Sequence, residues 1–294
     1  MTAEMPKGGK LSLDMMYKTA GIQINYDYIS EEDFEKKFKI GNYLAPLTIA
    51  LFANSPFNEN KLSGFLSYRG KVWQETNRGG IMPITFENVN FEKYIDHAIN
   101  YPILFLKKNG KYYSPNGQTF RDFLNGNLSF LKGEKPTLED FENHLGTIFT
   151  EIRLKQVIEF RSLDTCNFGC ICNGPSFFTG LIYGSLDETY EIIKNWKKEE
   201  VMDAYLNAPK QGLNTLLKNK KLIDWAKIFL DISKKGLDKR NELNKSGKNE
   251  TIYLKHIEEI IKNKKTRAEM LIEQYNKTKN LNFLVNHDEN FSYS

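Results

Sequence analysis

Eight consecutive residues, Val157 to Asp164 (Val-Ile-Glu-Phe-Arg-Ser-Leu-Asp), constrain the fold more than any other stretch. Read as a strand, their alternation puts Glu159 and Arg161 on one face and Ile158 and Phe160 on the other. A carboxylate and a guanidinium inside a sheet are costly unless they meet charge. Two kinds of partner satisfy them. One is a structural ion pair joining Glu159 to Arg161, Arg153 or Lys155, and the other is a metal-bound nucleotide. Ion-pair networks are the commoner of the two.

With 294 residues the chain can bury a full core as one large domain or two ordinary ones. The 41 basic and 37 acidic residues leave a net charge of +4, too small to argue for a nucleic-acid partner. No apolar run is long enough to span a bilayer, and Met-Thr-Ala-Glu-Met-Pro-Lys has no apolar signal core. The expectation is a cytoplasmic protein with neither nucleic-acid nor membrane partners. Cys166, Cys170 and Cys172 crowd into seven residues, but the histidines (97, 144, 256, 287) are scattered and offer no second ligand pair for zinc. Reduced thiols in a loop are expected.

Along the chain, residues 20–28 alternate, with Ile22, Ile24, Tyr26 and Tyr28 on one face and Gln23, Asn25 and Asp27 on the other, which predicts a strand with a polar face. That face either meets water or lines a cleft. Ser30-Glu-Glu-Asp33 has the capping pattern of a helix start, with periodicity to about Phe52. A second strand is expected over Phe65–Arg69, continuing into Val72-Trp73. Arg69 and Arg78 sit beside glycine-containing turns, where a planar guanidinium can meet carboxylate or phosphate. Residues 91–135 read as helix, strand, Asn109-Gly110 hairpin, strand and a short helix; Thr137 to Asp140 caps the next one. From about residue 176 the chain turns helical and lysine-rich. A sheet-containing portion over 1–175 and a helical region over 176–294 follow, with disorder expected only at Asp288 to Ser294.

Seven motifs, in order, resemble the glutamate-cysteine ligase family, in particular its plant and proteobacterial branch. They are Asp14-Met15-Met16 with Ile22-Gln23-Ile24-Asn25; Ala50 to Phe57; Gly64 to Arg69 with Trp73; Thr119 to Phe123; Glu142 to Leu145; Glu151 to Lys155; and Glu159-Phe160-Arg161. The resemblance implies an α+β fold: a curved, mainly antiparallel, glutamine-synthetase-like sheet, incomplete here, with outer helices and a helical C-terminal region. It also implies ATP-dependent joining of the glutamate γ-carboxylate to cysteine through an acyl phosphate, with ATP and Mg²⁺ as cofactors; a related acceptor or a non-catalytic remnant are the alternatives. Such chemistry depends on cations that neutralise transferring oxygens, not on a protein nucleophile.

By resemblance Glu159 is a magnesium ligand with Gln23 near the metal, Arg161 and Lys155 contact the nucleotide, and Arg69, Arg78, Asn25, Asn54, Ser55 and Arg153 bind substrate. Arg161 and Arg69 carry the catalytic charge. The family also has a preceding segment whose acidic strand holds further magnesium ions, and it is a candidate partner for this chain. Where the plant branch has paired arginines, this chain has Gly169-Cys170. Set against the plant branch of the family it resembles, this chain is expected to have no thiol switch.

Overall fold

The computed structural model describes Thr2 and residues 4–284. The expectation of disorder at Asp288 to Ser294 lies outside these residues. The fold is α+β, with short antiparallel hairpins among many helices. Two compact units divide the chain: Met1–Thr19, Asn25–Phe38 and Val72–Phe160 form one, and Ala20–Ile24, Lys39–Lys71 and Arg161–Ser294 form the other.

The sheet is far smaller than expected. Its strand order is Gly21–Tyr26, Ile158–Asp164, Ile152–Leu154, and the remaining sheets are two-stranded hairpins. Every residue of Ile158–Asp164 is buried. The physical reason for the small sheet lies partly in Phe65–Arg69, expected as a strand leading into Val72-Trp73, whereas the chain is helical over Tyr68–Gln74. There the Ser67 hydroxyl accepts from the Gly70 amide at 2.9 Å, and the Ser55 hydroxyl accepts from the Arg69 amide at 3.1 Å. Capping of these early amides favours a helix start over a strand. The long helix expected from Ser30 to Phe52 is two helices, Glu31–Tyr43 and Ala45–Leu51, with Pro46 in the first turn of the second.

In the first unit, Phe34, Phe38, Phe91 and Tyr94 pack ring against ring with centroids 5.0–6.3 Å apart. The Tyr94 hydroxyl accepts from the Leu154 amide at 2.9 Å and so ties this aromatic core to strand Ile152–Leu154. The Asn109-Gly110 hairpin forms as expected, joining Leu106–Lys108 to Lys111–Tyr113 with positive φ at both turn residues. Ile103, Leu106, Phe120, Phe123 and Leu128 form a second cluster beneath it.

The second unit is mainly helical. Helix Leu222–Arg240 packs on the π-helical turn Gly180–Gly184 at backbone distance. A Cβ at Gly184 would lie 2.1 Å from the Gly236 carbonyl oxygen, and one at Gly236 would lie 2.0 Å from that of Gly180. Hydrogen is the largest substituent these positions admit. Trp196, Trp225 and Phe229 pack in tilted and edge-on pairs with centroids 4.8–6.1 Å apart. No helix among the described residues is long and apolar enough to cross a membrane.

Candidate functional site

In the first unit, strand Ile152–Leu154 pairs antiparallel with the start of Ile158–Asp164, and its register sets Arg153 opposite Glu159. Arg153 donates from Nε to Glu159 Oε2 at 2.8 Å, and its Nη2 lies 2.5 Å from the same oxygen. Lys155 Nζ reaches the other oxygen, Oε1, at 3.3 Å. Arg153 Nη1 also donates to the carbonyls of Gly146 and Ile148, at 2.7 and 3.2 Å. The charged strand face therefore meets charge from the protein itself, and Arg153 and Lys155 are among the partners of Glu159.

Arg78 lies in the same unit and is anchored in the wall of a cleft. Its Nε donates to Thr147 O at 2.7 Å, Nη2 to Thr147 Oγ1 at 2.8 Å and Nη1 to Pro102 O at 2.7 Å. Its guanidinium carbon lies 5.5 Å from the Tyr101 ring centroid. Burial pulls its pKa down to about 10, which leaves it cationic at neutral pH. The cleft has a volume of about 380 Å³ and includes Glu4, Lys7, Asn77, Tyr101 and Asn116. Behind it, His144 is stacked on Phe120 and hydrogen-bonded through Nε2 to Ala98 O at 2.8 Å, and burial pushes its pKa down to about 4. Asn25 is exposed.

The second unit gathers Gln23, Asn54, Ser55, Arg69 and Arg161. Arg161 Nη1 donates to Gln23 Oε1 at 2.7 Å, and Arg69 Nη2 donates to the Arg161 carbonyl. At the centre is a residue that sequence reasoning passed over, Asp164. Its Oδ2 accepts from the Asn54 amide at 2.9 Å and the Ser55 hydroxyl at 2.7 Å, and its Oδ1 accepts from the Ser67 hydroxyl at 2.8 Å. Burial pushes the Asp164 carboxyl above the usual carboxylate range, although Arg69 and these donors pull the other way. The signal was present in the sequence: Asp164 falls on the same strand face as Ile158 and Phe160, where a carboxylate has no bland reason to be.

The expected reduced thiols are corrected in part. Cys166 and Cys170 are joined as a disulfide, and Cys172 is free. Their Cα atoms stand 6.1 Å apart, within bridging reach, because the chain makes a tight helical turn over Phe168–Cys170.

A magnesium ion does not fit the arrangement around Glu159. Both carboxylate oxygens already face cations, Arg153 on one and Lys155 on the other. A dication there would compete with two positive charges, the buried Arg153 foremost. No group of three or more His, Cys, Asp or Glu suited to a metal occurs among the described residues.

A family profile described as glutamate-cysteine ligase family 2 matches residues 1–287. The chain belongs to this family. It is 41% identical over 276 residues to the chloroplastic glutamate-cysteine ligase of Solanum lycopersicum, covering 92% of this chain and 52% of that protein. It is 40% identical over 276 residues to the chloroplastic ligase B of Oryza sativa subsp. japonica, covering 92% of this chain and 54% of the relative. The chain thus spans about half the length of the curated relatives it matches. The expectation of a cytoplasmic protein does not stand, because these relatives are named chloroplastic.

Proposed function

We propose that this chain supplies part of the active site of an ATP-dependent ligase that joins the γ-carboxylate of glutamate to the amine of cysteine, the first step of glutathione formation. The family match over residues 1–287 carries this reading, and the interlocked Arg69, Arg161 and Gln23 of the second unit support it. In this reading Arg69 and Arg161 hold the substrate carboxylate and the phosphoryl oxygens as charge transfers between them. The core is the catalytic portion of a glutamine-synthetase-like sheet, and the cleft beside Arg78 has room for an amino acid. Since Glu159 is committed to Arg153 and Lys155, magnesium is assigned to carboxylates of the acidic segment that the family places before this span. A plastid is the setting that the relatives' names favour.

The test is to combine the chain, with and without a candidate fragment carrying that acidic strand, with ATP, Mg²⁺, glutamate and cysteine, and to follow ADP and γ-glutamylcysteine. Product in either mixture is the expected result; none in both overturns the assignment. The Glu159 ion pair favours a second reading, a non-catalytic relative that keeps the fold, which predicts glutamate or nucleotide binding without turnover.

A further inference from the structure

We propose that Asp164 is a positioning residue, which sets Arg69 for its ligand through two serine hydroxyls. The proposal rests on the ligase reading for what Arg69 holds, but not for how Arg69 is held.

Asp164 closes strand Ile158–Asp164, and both its oxygens are spent on one neighbourhood. Oδ2 takes the Ser55 hydroxyl at 2.7 Å and Oδ1 the Ser67 hydroxyl at 2.8 Å. Each hydroxyl donates its single proton to the carboxylate, so its lone pairs are turned outward to accept. Ser55 Oγ accepts the Arg69 amide at 3.1 Å and Ser67 Oγ accepts the Gly70 amide at 2.9 Å. These amides belong to the first turn of helix Tyr68–Gln74, where no intrahelical acceptor exists.

A carboxylate acting through two hydroxyls thus fixes the backbone on which Arg69 stands. The guanidinium is fixed from the same strand, since Arg69 donates to the carbonyl of Arg161, three residues before Asp164. Strand Ile158–Asp164 therefore holds Arg69 at two points, at its amide through Asp164 and Ser55 and at its guanidinium through Arg161. A neutral amide at 164 cannot do this. It offers one acceptor where two hydroxyls and one backbone amide now donate, and its own N–H groups would force a hydroxyl to turn round.

The experiment measures hydrogen exchange at arginine guanidinium groups by ¹⁵N NMR on the full chain, in wild type, Asp164→Asn and Ser55→Ala. L-glutamate binding is measured in parallel by calorimetry. Exchange at Arg69 should rise at least about tenfold in both variants, the factor set by loss of one charge-assisted hydrogen bond. Exchange at Arg78, held by Thr147 and Pro102, should stay unchanged. Glutamate affinity should fall by a similar factor. Ser55→Ala removes one link and serves where Asp164→Asn does not fold.

Unchanged exchange at Arg69, or a rise at Arg69 and Arg78 together, overturns the proposal. A rise at Arg69 alone in the variants, with a wild-type chain that neither binds glutamate nor makes product with or without the acidic fragment, upholds the positioning role and refutes the ligase reading instead.

Discussion

Replacing Glu159 by alanine should destabilise the chain by about 3–5 kcal/mol, the range for breaking a buried ion pair by removing one partner. The structure supports that magnitude. Arg153 and Glu159 are each 6% exposed, and the substitution removes two charge-assisted contacts on Oε2, at 2.8 and 2.5 Å. At about 1.5–3 kcal/mol apiece, two such contacts give about 3–6 kcal/mol, which covers that range. Lys155, with a side chain 39% exposed, returns to water and adds little.

Arg153→Ala should cost a comparable amount, whereas the double variant Arg153→Met/Glu159→Leu should lie close to wild type or above it, because two isosteric apolar groups carry no desolvation penalty. Thermal and urea unfolding of the four proteins form a double-mutant cycle, with the single variants lowering Tm by about 10 °C. A loss under about 1 kcal/mol for Glu159→Ala, or additive single variants, would refute the ion-pair account. So would a Mg²⁺-dependent rise in wild-type Tm that Glu159→Gln abolishes, since it would show the carboxylate serving a metal.

Gly184→Ala and Gly236→Ala should each destabilise by about 1–3 kcal/mol or more in urea unfolding, because the new methyl falls 2.0–2.1 Å from a carbonyl oxygen. His144 has a folded pKa of about 4, below its unfolded value. Its contribution is therefore complete above about pH 6.5 and is lost as pH falls towards 4, with a slope of up to about 1.4 kcal/mol per pH unit; a His144→Gln variant measured by urea unfolding across this range should lack that slope. Thiol titration of the denatured, unreduced chain should find Cys172 alone, and reduction should raise the count to all three cysteines. Arg78→Lys should lower Tm, since an ammonium cannot reproduce the fork that spans Thr147 and Pro102.

Features governed by neighbours in sequence were readable in advance. The Asn109-Gly110 hairpin and the Thr137–Asp140 capping box carry their own geometry, and both formed. The short segment Phe65–Arg69 looks like strand because it is rich in aromatic and apolar residues. It is helical where Asp164, 97 residues from Ser67, orients the capping hydroxyl, and no local pattern reports such a contact. The strand over Val157–Asp164 was legible, and so was the need for charge beside Glu159. Which cation meets it was not, because that depends on the register that sets Arg153 across from it. Arg78 carries a second role that its sequence context does not report: a guanidinium beside a glycine turn suggests an anion clamp, and the structure shows its donors also reaching backbone and hydroxyl oxygens of the fold.

The close approach of Gly180, Gly184 and Gly236 bears on how this region can change over time. Two segments some fifty residues apart are mated like the halves of a mould, so neither can acquire a larger residue while the other stands still. Any graft from a relative that replaces the long helix must bring its π-turn counterpart along, and drift at these three sites should occur jointly or not at all.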